Sequence, residues 1–125
     1  MEHHQNDQTL KADAGKYRPT LVPPQIIEDI AEVREYGVKK YGSEDAWKEV
    51  SLRCYKDALC RHLIEYLKDP QSVDEESGIK HYKHVACNLA FICDLEKEID
   101  DITSKASEVD DFLDLFIEAA LHAFS

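Results

Sequence analysis

The densest grouping of reactive side chains in this sequence is Asp74-Glu75-Glu76-Ser77-Gly78, followed by His81, His84 and Asn88. At spacings of three and four residues, positions 81, 84 and 88 share one face of a helix. Carboxylates and imidazoles bind metal ions, and both move protons. The Asn88 amide can donate to a phosphate or hold a base edge. A plainer reading fits the same residues. Ser77 would cap a helix whose first turn is polar, with Asp74 and Glu76 at its positive end and His81 and His84 merely interfacial. Spacing alone weighs towards the plainer reading.

Three further features carry weaker signals. Glu28, Glu32 and Glu35 fall at four- and three-residue spacing, which lets carboxylates clamp a cation from one helix face or simply form a solvated acidic face. His62 lies on the stripe Tyr55, Leu59, His62, Tyr66, where a hydrogen-bonded core histidine is the commoner outcome; beside it, Arg61 could reach a phosphate or pair with Glu65. Lys39-Lys40, between Gly37 and Gly42, and Lys16 and Arg18, near Gly15 and Pro19, supply cations at flexible points suited to an anion. The sequence has no Walker A loop, GxGxxG, nucleophile elbow or HExxH.

These residues need elements to hold them, and the pattern is helical throughout. Residues 1–22 read as an irregular basic leader arm, and residues 23–125 as a single helical domain. Helix one begins near Pro23-Pro24 with the stripe Ile26, Ile30, Val33, Gly37; the two glycines then mark its end and a turn. Helix two spans Ser51 to Lys68 and is stopped by Asp69-Pro70. Helix three runs from about Gly78 to Ile102, with Tyr82, Val85, Leu89 and Ile92 along one seam. Helix four runs from about Val109 to Phe124 with the stripe Phe112, Phe116, Ala120, Phe124, and Asp110, Asp111 and Asp114 suit its first turns. The fold class is all-α: an antiparallel bundle of about four helices.

Composition narrows the partners. The chain has 125 residues and a formal net charge of -11, which disfavours duplex nucleic acid as the main partner. A small polyanion can bind an acidic chain where divalent cations bridge carboxylates to phosphates. No apolar run is long enough to span a membrane, and no secretory leader is evident, so the expected location is the cytoplasm. Cys54, Cys60, Cys87 and Cys93 show no zinc spacing and read as free, buried thiols.

Taken in order, Asp13-Ala14-Gly15-Lys16-Tyr17-Arg18, Leu21-Val22-Pro23-Pro24, Tyr36-Gly37-Val38-Lys39-Lys40-Tyr41-Gly42, Trp47, Arg61-His62-Leu63, Asp74-Glu75-Glu76-Ser77-Gly78 and His81-Tyr82-Lys83-His84-Val85-Ala86-Cys87-Asn88 resemble the amino-terminal domain of dATP/dGTP diphosphohydrolases. That family is common in bacteriophage genomes and is associated with the MazG-like, all-α nucleotide pyrophosphohydrolases. The resemblance covers roughly Lys11 to Leu95.

The resemblance implies a MazG-like bundle that assembles as a dimer or tetramer and hydrolyses a nucleoside triphosphate, dATP or dGTP, to the monophosphate and pyrophosphate with Mg2+ or Mn2+. Glu32 and Glu35 match the ExxE that MazG-like enzymes carry on one helix; with Asp74 and Glu76 they are the implied metal ligands. Glu35, His81 and His84 are the implied catalytic residues, the histidines orienting the metal site or the attacking water. Lys16, Arg18, Lys39, Lys40 and Arg61 would contact phosphates, and His62 and Asn88 would position substrate. Two departures stand out: the ExxD spacing recurs only at Glu98 and Asp101, far along helix three, and Ala46 replaces the asparagine that usually precedes the tryptophan. The alternative function is a non-catalytic helical adaptor or a nucleotide-sensing protein.

Overall fold

The computed structural model describes residue 12 and residues 14–123. The leader arm expected at residues 1–22 therefore lies partly outside the described residues, as does Phe124. Within them, after a 3-10 turn at Pro19–Leu21, Pro24 occupies the N-cap of α1 (Gln25–Tyr41). Glycine at 37 does not end this helix. It continues to Tyr41, and Gly42, at φ 72°, caps it by donating its N–H to the Val38 carbonyl at 2.7 Å. Only Gly42 needs the left-handed conformation that stops a helix. Lys39 and Lys40 are thus helical rather than in a turn, and they complement the negative end of the helix dipole.

A second 3-10 turn, Ala46–Glu49, leads into α2 (Leu52–Lys68). The Ser51 hydroxyl caps α2 by accepting the Cys54 N–H at 3.4 Å, and Asp69 closes it, as local sequence signals predict. The following loop folds back on itself. Asp74 N–H donates to the Ile79 carbonyl at 2.8 Å, and His81 N–H donates to the Ser72 carbonyl at 3.1 Å. Gly78, at φ 70°, makes the reversal. Val73 and Lys80 form an isolated antiparallel bridge; the described residues hold no longer strand.

The third helix begins at His81, not Gly78, and does not stop at Ile102. α3 runs unbroken over His81–Ala123, 43 residues and about 65 Å at 1.5 Å per residue. The described residues therefore contain three helices rather than about four. Residues 103–108, Thr-Ser-Lys-Ala-Ser-Glu, mix intermediate helix formers with the strong ones Lys105, Ala106 and Glu108, and include neither proline nor glycine that would break the rod. With no helix starting near Val109, Asp110, Asp111 and Asp114 have no N-terminal dipole to complement.

Both shorter helices pack on the first half of α3. The small core joins Val33 of α1, Ile79 of the loop and Cys87 of α3, flanked by Ile30, Tyr36 and Phe91. Of the four cysteines expected to be buried, only Cys87 is; Cys54, Cys60 and Cys93 are exposed and free. An ion-pair group locks α1 to α3. Lys83 Nζ lies 2.7 Å from Glu32 and 3.7 Å from Asp29, and Asp29 also accepts from the Gln25 amide at 3.1 Å. α2 reaches along α3 as far as Glu96, paired with Lys56 at 3.3 Å. Beyond it, Ile102, Val109, Phe112, Phe116 and Leu121 are all more than half exposed. No described helix is long and apolar enough to cross a membrane.

Candidate functional site

Where the three helices meet the loop they enclose a cavity of about 390 Å3. This lies within the usual size range of small-molecule sites. One wall is aromatic. Trp47 stacks on Phe91 with centroids 4.9 Å apart, and Tyr55 leans on Phe91 at 4.7 Å. The Tyr55 hydroxyl donates to the Trp47 carbonyl at 2.5 Å, fixing the 3-10 turn against α2. Burial pushes the Tyr55 phenol up to about 12. The Arg34 guanidinium sits 5.3 Å over the Phe91 ring and donates to the Glu44 carbonyl at 2.6 Å.

Acids and imidazoles line the same cavity. Lys40 pairs with Glu76, which also accepts from Tyr36, and these two contacts hold the Glu76 carboxyl below the usual range. Asp74 Oδ2 accepts the Ser77 N–H at 2.9 Å and the Ser77 hydroxyl at 2.8 Å. Burial pushes the Asp74 carboxyl up, but those hydrogen bonds and the nearby His84 and His62 outweigh it, so its acidity is raised overall. The Ser77 oxygen also lies 2.7 Å from His84 Nε2 and accepts the Ile79 N–H at 3.2 Å. Because Asp74 is ionised, Ser77 donates to it and His84 Nε2–H donates to Ser77. Ser77 is thus a fully engaged tether, neither a free nucleophile nor the helix cap expected from sequence. Asn88 donates its amide to the His84 carbonyl at 2.8 Å and faces the same cavity.

Three histidines, His62, His81 and His84, cluster here. His62 stacks on His84 with centroids 4.4 Å apart and planes 9° from parallel. Its Nδ1 lies 2.8 Å from Nδ1 of His81. Burial, reinforced by neighbouring His84 and His81, lowers His62 to about 4. Burial also lowers His84, against the pull of Asp74. At neutral pH, His62 and His84 are therefore neutral proton acceptors or metal ligands. A second, more open cavity of about 420 Å3 is lined by Arg61, His62, Ile64, Glu65, Asp74 and His81. His62 and Asp74 line both cavities.

A pH dependence follows. His62 is lowered below its unfolded value, so between pH 6.5 and about 4 the unfolded chain binds more protons than the native one. Stability is full above pH 6.5 and falls on acidification. Full conversion of that difference gives about 3 kcal/mol, and screening at a half-buried ring reduces it to about 1–2 kcal/mol. Thermal melts between pH 7 and pH 4 are expected to show this loss, and His62→Gln is expected to flatten it.

Of the residues expected from sequence, the principal cavity gathers Lys40, His62, Asp74, Glu76, His84 and Asn88. His81 and Arg61 border the second cavity. Lys16, Arg18, Lys39 and Glu35 are exposed and line neither cavity. Glu32 is turned to Lys83, so the four carboxylates Glu32, Glu35, Asp74 and Glu76 do not converge. Glu98 and Asp101 are exposed, with Asp101 paired to Lys97 at 2.5 Å. Ala46, in the place of the usual asparagine, does line the cavity. Sequence reasoning missed Arg34, Tyr36, Tyr55 and Phe91. For the α1 pair a signal existed: Val33, Gly37 and Lys40 recur at four- and three-residue spacing, and Arg34 and Tyr36 adjoin that stripe.

Residues 6–105 match the family described as dATP/dGTP diphosphohydrolase, N-terminal. The chain belongs to that family. Every residue lining the cavity falls within the matched segment, whereas the last turns of α3 lie beyond it. A Salmonella phage PMBT28 protein named dATP/dGTP diphosphohydrolase is 35% identical over 83 residues, 66% of this chain and 28% of that protein. The chain thus spans little more than a quarter of that relative's length. No solved structure matches.

Proposed function

We propose that this diphosphohydrolase-family domain binds a purine deoxynucleoside triphosphate, dATP or dGTP, in the principal cavity and hydrolyses it to the monophosphate and pyrophosphate. The observation that carries this reading is the cavity's mixed lining: aromatic Trp47, Tyr55 and Phe91, cationic Arg34 and Lys40, and the proton-accepting groups Asp74, His62 and His84 all border one space. Aromatic faces stack on bases, and Arg and Lys take phosphate oxygens. Asn88 offers an amide to fix the base or a phosphate. Asp74 and the neutral imidazoles are the groups able to accept a proton from attacking water. A divalent cation such as Mg2+ or Mn2+ would neutralise triphosphate charge when bound. The three exposed free thiols suit a reducing compartment and support a cytoplasmic setting for the reaction. The net charge of -11 argues against duplex nucleic acid as a rival ligand.

The test is turnover. Purified chain is incubated with each deoxynucleoside and ribonucleoside triphosphate, with metal or chelator, and pyrophosphate and monophosphate are followed. Metal-dependent pyrophosphate release is expected, fastest with a deoxypurine. A folded chain that binds dATP or dGTP without cleaving it would instead be a sensor. One that binds neither, but captures a protein partner, would be an adaptor. Lys40→Met is expected to raise KM about tenfold, the cost of one charge-assisted phosphate contact, with a smaller change in kcat.

The chain acts as a homodimer in this reading. Along continuous α3, Ile92, Leu95, Ile99, Ile102, Ala106, Val109, Leu113, Phe116, Ala120 and Ala123 alternate three and four residues apart. That is a heptad seam, sustained long enough for a coiled coil. α1 and α2 cover only its beginning. In a parallel, in-register pair, Lys105 faces Asp110 of the partner subunit, a complementary flanking pair on each side. Phe116→Asp is expected to yield monomers in light scattering and to reduce helix content, because a lone amphipathic tail is marginal in water. A wild-type chain that is monomeric at tens of micromolar would overturn the dimer.

A further inference from the structure

We infer that His62, Asp74 and His81 form a binding site for a divalent first-row transition metal ion, selective against magnesium. Among the described residues, this is the group of three ligand-bearing side chains whose donor atoms all lie within 4.8 Å of one another. They come from three separate elements: α2, the folded loop and the first residue of α3. No local helical spacing creates this convergence; only the tertiary fold does.

The donors are held in place. Stacking against His84 fixes the ring of His62. Ser77 anchors Asp74 through two hydrogen bonds, both to Oδ2, and the His84 contact at 3.8 Å also falls on Oδ2. None of these contacts uses Oδ1, which leaves its lone pairs for a cation. Such outer contacts commonly orient metal ligands. The Nδ1 atoms of His62 and His81 are 2.8 Å apart, so without a cation one ring must donate its proton to the other. A divalent ion satisfies both lone pairs and replaces that single shared proton. The open cavity beside Arg61 and Glu65 gives it an entry path.

The donor chemistry decides the metal. Magnesium takes oxygen ligands and keeps several waters. Two imidazoles with one carboxylate suit manganese, iron, cobalt, nickel or zinc, with affinity rising towards the later metals. The four-carboxylate set that would favour magnesium does not converge here, since Glu32 is spent on Lys83 and Glu76 on Lys40. Three protein donors also leave coordination positions for water or phosphate oxygens.

The site would exist even in a chain that cleaves no nucleotide, so its test uses no substrate and its failure is separable from failure of the hydrolase reading. Full-length chain is titrated with Co2+, following visible d–d absorption and calorimetry, with Mg2+ as competitor. One Co2+ per chain is expected, undisturbed by about a hundredfold excess of Mg2+, and His62→Gln and His81→Gln should each weaken binding by at least about 10-fold, since losing a direct ligand costs no less than losing an outer contact that orients one. A chain altered at both His3 and His4, the adjacent histidine pair near the amino terminus, should retain full binding. Melting curves verify that the variants fold. Should either variant fail to fold, nitrogen-15 spectra of the wild-type imidazoles decide, with Zn2+ expected to move the Nδ1 signals of His62 and His81. Equal competition by Mg2+, loss of binding on altering His3 and His4, or unmoved His62 and His81 signals would each overturn the assignment.

Discussion

Asp74→Asn is expected to abolish most triphosphate hydrolysis, lowering kcat by about 100-fold or more, the range for loss of a positioned proton acceptor. Three roles meet at this carboxylate. It borders both cavities, accepts two hydrogen bonds from Ser77, and carries charge beside His84 and His62. An amide of the same shape keeps the turn in outline, because its oxygen still accepts from Ser77. It removes the negative charge and the proton affinity. The stability cost should be modest, about 1–2 kcal/mol for two charge-assisted hydrogen bonds made neutral. The comparison of steady-state kinetics with a thermal melt is what discriminates. If kcat remains within a few-fold of wild type, Asp74 does not act in the reaction, whatever it does for the loop.

The second large effect is on folding. Phe91→Ala is expected to destabilise the chain by about 2–4 kcal/mol, read as a lower denaturant midpoint with an unchanged slope. The range sits slightly below that of a fully buried phenylalanine because the ring is only partly covered. Its neighbours make the loss broad. Trp47, Tyr55 and Arg34 come from the 3-10 turn, α2 and α1, and each contacts this one ring of α3. Truncation unpins the turn that carries Trp47 and opens the aromatic wall, so nucleotide affinity should fall with stability. Phe91→Leu should restore much of the stability but little of the stacking. An alanine variant as stable as wild type would show that the wall is not structural.

The contrast between these residues shows what sequence made legible. The limits of α2 could be read because Ser51 and Asp69-Pro70 are local signals whose physics acts within a turn of themselves. Gly37 misled because glycine is permissive rather than breaking: its effect depends on the φ it adopts, and of the two glycines at this helix end Gly42 alone took the left-handed value. The break expected between Ile102 and Val109 is absent, because residues 103–108 hold neither proline nor glycine and propensity costs of a few tenths of a kcal/mol per residue cannot halt a helix. Only with α3 unbroken does its heptad seam appear. At the site, Asp74, His84 and Asn88 were accessible through local spacing. The roles of Arg34, Phe91 and Tyr55 arise from contacts between elements distant in sequence. So does the diversion of Glu32, whose partner Lys83 lies 51 residues away.

The unequal cover along α3 has a consequence for its backbone. Amides near His84 and Asn88 lie beneath two other helices, and their exchange with solvent deuterium requires opening the domain. Amides near Phe112 and Phe116 have no such roof in a single copy, and should exchange through fraying alone. One rod should therefore show slow exchange at one end and fast exchange at the other, with a step near Glu96 where the last clamp from α2 lies. Pairing of two tails would carry slow exchange outward towards the end of the rod. The position of that step, followed against protein concentration, would make the backbone of α3 a gauge of its own association, readable far from the chemistry.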